Sequence, residues 1–436
     1  MSLITGPMRQ HIDGHKHLTL DAPFHEALDP EFVYIPLLQG NAPCEKLVDI
    51  GDEVFVGTKV AQRNDRFYVP LFSSVSGTVV AIEKFITAGL TQAEHIKIQN
   101  DHKYTFQKPF EPLNYENASK EEMVEFLKNA GIIGLGGAGF PTYVKYQSDS
   151  EVENLIINAV ECEPYLTADL KNIENNLDDL KMGVLALAKC SSAKNVWVAI
   201  KEDKVNQIKS LEELFKNTNV EIKKVPDVYP MGWERTLVYQ LTGRRYNMLP
   251  MEAGCIINNA STVIAIGQAL TKAHPITSRI ITVSGDAIAH PQNIEVPVGM
   301  KVKEIIEAIG GYVEGVEDVY LIAGGPMMGK TIPSDEFVIM PHSNALTVLI
   351  NDGLQEVNCL RCGRCTETCP SGLQPVRIHM AMTLKDEATL RKLSVNDCIE
   401  CGTCSFVCPS KIAVTENVRK AKTYIRTLDQ AKGDKR

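Results

Sequence analysis

A chain of 436 residues that is 44% hydrophobic and 23% charged has the composition of a folded globular protein, and at about 150 residues per domain it should divide into roughly three units. The formal net charge of −9 excludes general nucleic-acid binding. No run of about 18 apolar residues suggests a membrane span, and the start of the chain (His11, Asp13, His15, Lys16, His17) is too polar for a secretory leader, so a cytoplasmic location is expected.

The first hundred residues read as β-rich, with short alternating runs at 46–48, 54–60 and 75–82 separated by turns at Gly51-Asp52, Gly57 and Gly77. Val48-Asp-Ile-Gly-Asp-Glu-Val54, Val56-Gly-Thr-Lys-Val60 and Val75-Ser-Gly-Thr-Val79 resemble a lipoyl-type sandwich barrel, without the carrier lysine on a methionine-flanked hairpin. A scaffold is therefore expected, not a swinging arm. His11, His15, His17 and His25 are irregularly spaced and lack a partner cysteine, which reads as an exposed loop and not a metal site.

Ser119 followed by Glu122 forms a capping box that opens an amphipathic helix carrying Met123, Phe126 and Leu127. It runs into Gly131-Ile-Ile-Gly134-Leu-Gly136-Gly137-Ala-Gly139-Phe140-Pro141. Buried strands are expected at 155–159 and 196–200, with a polar helix around 166–189 between them, giving an α/β layered domain. Glycines at this density let backbone pass beneath a planar ring or offer N–H groups to phosphate, which side chains would block. The cluster alone is a weak signal, because it lacks the dinucleotide fingerprint. Company strengthens it: Asn158-Ala-Val-Glu161-Cys162-Glu163-Pro164, Tyr229-Pro-Met-Gly232-Trp-Glu234 and Ile257-Asn258-Asn259-Ala-Ser261 each put polar groups at the end of a strand or the start of a helix. Asn258, Asn259 and Ser261 at a helix N-terminus would suit a phosphate.

From residue 280 to about 348 the apolar runs shorten and turn glycines return, as expected of a small mixed domain. Two matching runs follow: Cys359-Leu-Arg-Cys362-Gly-Arg-Cys365-Thr-Glu-Thr-Cys369-Pro370 and Cys398-Ile-Glu-Cys401-Gly-Thr-Cys404-Ser-Phe-Val-Cys408-Pro409. This is the bacterial ferredoxin signature, twice. In that pattern three cysteines wrap one [4Fe–4S] cube and the fourth, before a proline, ligates the other. The crossed sets are Cys359, Cys362, Cys365 with Cys408, and Cys398, Cys401, Cys404 with Cys369. Zinc sites space their ligands as two pairs across one wide gap, and a disulfide framework does not suit a chain of this length without a leader. Cys44, Cys162, Cys190 and Cys255 lack ligand spacing and read as buried small hydrophobes, with Cys44, on a turn before the barrel, the one candidate for redox activity. Lys411, Arg419, Lys420, Lys422, Arg426, Lys432, Lys435 and Arg436 oppose only Glu416, Asp429 and Asp434. This basic tail reads as a solvated helix end, with docking onto an acidic partner or anionic membrane as the other reading.

Taken in order, these segments resemble the flavoprotein subunit of respiratory complex I, and more closely the RnfC proteins of the Rnf ion-translocating ferredoxin:NAD+ oxidoreductases. The resemblance covers nearly the whole chain. It implies a multidomain α/β protein: a sandwich-barrel domain (1–110), a Rossmann-like FMN/NADH domain (111–277), a β-grasp (SLBB) domain (278–348) and a helical double-[4Fe–4S] ferredoxin domain with a basic C-terminal helix (349–436). By position, Gly134, Gly136, Gly137, Asn158, Glu161, Gly232, Asn258 and Asn259 would surround noncovalent FMN, while Phe140, Lys145, Glu163 and Glu234 would face NADH. Leu135 stands where complex I has arginine, a leucine that Rnf proteins share. Trp233 and the missing Gly-Gly-x-His-Pro opening depart from the Rnf pattern.

A hydride carries two electrons and a cluster takes one, so a flavin between them is chemically required. The family implies integral membrane subunits and a ferredoxin or iron–sulfur protein as partners, with the chain peripheral on the inner face of the membrane. The alternatives are a soluble NADH-dependent reductase serving a metabolic enzyme such as proline reductase, and a ferredoxin-like relay whose flavin pocket is no longer occupied.

Overall fold

The computed structural model describes residues 12–25 and 27–433. His11, Asp434, Lys435 and Arg436 lie outside the described residues, as does the side chain of Lys432.

Alternation of inward valine and isoleucine with outward polar residues builds the N-terminal barrel. Strand Phe32–Pro36 pairs antiparallel with Gln92–Asn100, which pairs in turn with Gly77–Ile86. A second sheet carries Glu45–Lys46, Lys59–Asn64 and Tyr68–Phe72. Val33, Ile35, Val54, Val60, Leu71, Val79, Ile96 and Ile98 fill the interior, and Val298 joins them from the third unit. The run expected at 54–60 is broken. Glu53–Val54 ends in a turn where Thr58 N–H donates to Phe55 O at 2.9 Å, and the chain resumes as Lys59–Asn64 in the other sheet. A sandwich needs such a crossing, which alternation alone does not reveal.

The second unit is a parallel sheet in the order Val220–Val225, Asn195–Lys201, Asn154–Ala159, Cys255–Asn259. The capping box forms as expected: Glu122 N–H donates to Ser119 Oγ at 3.2 Å, and Ser119 N–H to Glu122 Oε2 at 2.8 Å. The expected polar helix at 166–189 is instead two helices, Ala168–Asn175 and Leu177–Ser191, broken at Asn176. Leu180, Val184, Ala186 and Leu187 of the second are buried against helix Ala260–Lys272. Its charged residues drew attention away from an apolar stripe at helical spacing.

The third unit is a five-stranded mixed sheet, in which Ser278–Ser284 lies between Gln292–Pro297 and Ala345–Ile350, with helix Val302–Ala308 contributing Ile305 and Ile306 to the same core. The C-terminal unit is helical. Each cysteine run turns through a left-handed glycine, Gly363 or Gly402, into a four-residue helix, Arg364–Glu367 or Thr403–Phe406. The long helix Val414–Gly433 packs Val418, Ala421 and Ile425 against Ile378 and Leu390. Arg419 and Lys422, expected on a solvated tail, are used internally. Lys422 Nζ donates to Cys398 O at 2.8 Å and pairs with Glu400, and Arg419 pairs with Glu400 at 3.2 Å.

Candidate functional site

The glycine-rich segment closes on itself through Gly134 N–H to Phe140 O (2.8 Å) and Gly139 N–H to Gly134 O (3.0 Å). Leu135 is buried beneath it. Its N–H donates to Thr262 Oγ1 at 2.8 Å, and its carbonyl accepts from Arg279 at 3.3 Å. Gly136, Gly137 and Phe140 are exposed, and Gly136 rests against the Asn259 side chain. Gly137 has φ +102° with open space where a Cβ would project. A side chain there would both strain the backbone and fill the cradle. Gln39, from the barrel, donates to Gly139 O at 2.6 Å, and Arg63 Nη1 donates to Gln39 Oε1 at 2.9 Å.

The loop faces the ends of the parallel strands, where Asn158 and Asn259 are register partners. Asn158 Nδ2 donates to Gly232 O at 2.8 Å. Asn259 caps helix Ala260–Lys272, accepting from Thr262 N–H at 3.3 Å. The phosphate expected at this helix start meets a carboxylate already in place: Asp169 accepts from Asn259 Nδ2 and from the Ser261 hydroxyl, both at 2.6 Å. Sequence reasoning passed over Asp169, which looks like an ordinary first-turn acid. Asn258 points to the opposite face and donates to Tyr146 Oη at 2.5 Å.

Lys145 and Glu234 come together at 3.7 Å, with Lys145 also donating to Ile257 O at 2.6 Å. Glu161 accepts Asp169 N–H at 3.0 Å. Burial raises its carboxyl pKa, and the nearby Lys16 ammonium pulls it back. Lys16 reaches this site by donating to Glu163 O at 3.0 Å and to Leu166 O, and burial lowers its pKa. It carried no signal in the sequence beyond polarity. Both oxygens of Glu163 are engaged: Oε1 accepts from Met327 N–H (2.8 Å) and Met328 N–H (2.9 Å), while Oε2 lies 3.4 Å from the Tyr229 hydroxyl. Its carboxylate therefore bridges to the third unit and does not face open space.

One cavity in the C-terminal unit is lined by Cys369 from the first run and Cys398, Cys401 and Cys404 from the second, with Pro370, Leu373 and Ile378. Glu400 N–H donates to Cys398 Sγ at 3.3 Å and Leu373 N–H to Cys369 Sγ at 3.4 Å. Thr403 and Thr415 hydroxyls lie 3.3 and 3.2 Å from Cys401 Sγ and Cys404 Sγ. Cys359 and Cys362 are exposed, and Arg361 N–H donates to Cys359 Sγ at 3.4 Å. Among the described residues no three His, Cys, Asp or Glu side chains converge as they would on a single ion. Thiolates around a cube bind four different irons and stand farther apart, so the open cavity and its N–H···S donors fit a [4Fe–4S] cluster. The cradle at Gly137 beside Asn158 and Asn259 fits a flavin. Of the other cysteines, Cys190 and Cys255 are buried. Burial pushes the Cys44 thiol up to about 12, which removes the thiolate that redox activity needs.

Comparison with known proteins agrees with this architecture. Residues 8–103 match the RnfC barrel sandwich hybrid domain, 127–268 the Nuo51 FMN-binding domain, 280–331 the SLBB domain and 358–413 the 4Fe-4S dicluster domain. The chain is 36% identical over 375 residues to the RnfC-type component of the proton-translocating ferredoxin:NAD(+) oxidoreductase complex of Clostridium ljungdahlii, covering 84% of this chain and 81% of that protein. It is 32% identical over 373 residues to the corresponding component of the Na(+)-translocating complex from Acetobacterium woodii, covering 83% and 84%. Among solved structures, a chain of an NAD+-reducing [NiFe]-hydrogenase in the H2-reduced state superposes with a TM-score of 0.50 at 17% identity, over 71% of this chain and 64% of that one. At that identity the likeness is one of fold.

Proposed function

The chain belongs to the RnfC family of ion-translocating ferredoxin:NAD+ oxidoreductase complexes, and from that membership we propose that it relays electrons between NAD(H) and an iron–sulfur partner. FMN and two [4Fe–4S] clusters would lie along the path. The glycine-rich cradle (Gly134, Gly136, Gly137), Asn158, Glu161, Gly232 and Asn259 would hold the flavin, and Phe140, Lys145 and Glu234 the nucleotide. FMN would supply the exchange between a two-electron hydride and one-electron carriers.

One observation carries the reading. Tyr229, Met327 and Cys401 share a buried cluster with Cys162 packed against it, so the loop bearing a cluster ligand abuts the segment that follows the flavin-site strand. The exposed Cys359 and Cys362 would place the other cluster toward the partner. Membership of a multisubunit ion-translocating complex implies integral membrane subunits and a peripheral position at the membrane. No helix among the described residues is long and apolar enough to cross a membrane. The names of these relatives do not favour the soluble-reductase alternative, and they differ in the translocated ion.

The test is fractionation of native cells at moderate salt, with FMN and iron measured anaerobically. Co-purification with integral membrane subunits and about eight irons per chain, four for each cluster, is expected. A fully soluble, flavin- and iron-loaded protein would favour a dedicated soluble reductase instead.

A further inference from the structure

We propose that Tyr229 is a positioning residue for the cluster held by Cys369, Cys398, Cys401 and Cys404, fixing it against the flavin domain and tuning its potential. The inference rests on the electron-relay reading above. Tyr229 is 3% exposed, and its hydroxyl donates to the main-chain carbonyl of Cys401 at 2.6 Å. It comes from the loop before helix Glu234–Thr242, 172 residues away in sequence, so the bond joins two domains at a ligand of the cavity.

The surrounding atoms hold the contact from every side. Glu163, from the flavin domain, clasps Met327 and Met328 N–H and touches the same hydroxyl. Arg419 Nη2, from the ferredoxin unit, donates to Met328 O at 3.2 Å. Gly402 follows Cys401 with φ +78°, and a Cβ there would collide with Met327 O, so the third unit presses directly on the ligand loop. Three domains thus meet within two residues of Cys401. A carbonyl that accepts a buried hydroxyl has less electron density to send toward the neighbouring thiolate and iron, and hydrogen bonding around a cluster is one of the determinants of its potential.

Electron balance places this contact on the path. The hydride of NADH brings two electrons and leaves as NAD+, the proton goes to solvent, and each of two clusters takes one electron. Both electrons pass the Tyr229–Cys401 contact before reaching the exposed Cys359 and Cys362.

Tyr229→Phe keeps the ring packing and removes only the hydroxyl. In the full chain loaded with FMN and iron, the expected result is an altered midpoint potential and EPR spectrum for one cluster and not the other. Cluster reduction after mixing with NADH should slow about tenfold, the lower end of what outer-shell partners contribute at metal sites. Gly402→Ala, which displaces the same loop from the other side, should move the same cluster. Unchanged potentials, spectra and rate in Tyr229→Phe, with wild type active, overturn this inference alone. A loaded wild-type chain whose flavin is not reduced by NADH overturns the relay reading itself.

Discussion

The side-chain amide of Gln39 in the barrel donates to the main-chain carbonyl of Gly139 at 2.6 Å, 100 residues along the chain. Arg63 in turn holds Gln39 Oε1 and pairs with Asp65 at 2.6 Å. The barrel is therefore a brace for the glycine-rich loop. Gln39→Leu leaves both the Gly139 carbonyl and the Arg63 donor short of a partner, at a cost of about 1–3 kcal/mol. FMN affinity, measured by quenching of flavin fluorescence, should fall about tenfold or more while the iron content holds. Unchanged affinity would show that the loop keeps its shape without the brace.

Asp169 gathers Asn259 and Ser261 at the start of a buried helix. Asp169→Asn replaces two hydrogen bonds to a charged acceptor, which should destabilise the flavin domain by about 2 kcal/mol. A lower melting temperature for that transition, with reduced FMN retention, is the expected outcome.

His342 lies against Gly139, and burial together with the Arg279 guanidinium pushes its pKa down to about 4. The folded state then binds the proton less readily than the unfolded chain, whose histidine titrates near about 6.5. The stability contribution is complete above pH ~6.5 and is lost as pH falls from there toward 4, by about 3 kcal/mol in all. Melting temperatures of wild type and His342→Gln, followed from pH 7 down to about pH 4, should diverge, with wild type falling more steeply. Parallel curves would rule out this histidine as the source of acid sensitivity.

Cys365→Ser removes a ligand from the more exposed cluster set. Iron content should drop by about half. NADH should still reduce the flavin, whereas delivery to an external ferredoxin-type acceptor should be lost. A variant passing electrons at full rate would sink the two-cluster relay.

The sequence determined the local features of this protein. Cysteine spacing, the Ser119–Glu122 capping box and the glycine run are read from residues a few positions apart, because a tight loop, a helix start or a ring-sized cradle is itself a local object. The order of the four units was legible for the same reason. Tertiary structure alone decided which distant side chains share a site. Asp169 reached the Asn259 helix start, Lys16 came beside Glu161, and Arg279 arrived under Leu135. It also turned Glu163 toward Met327 and Met328, and drew Arg419 and Lys422 out of the basic tail into the Glu400 cluster. A buried charge or hydroxyl must find a partner wherever the fold offers one, and that partner is chosen by packing between domains, which no run of neighbouring residues records.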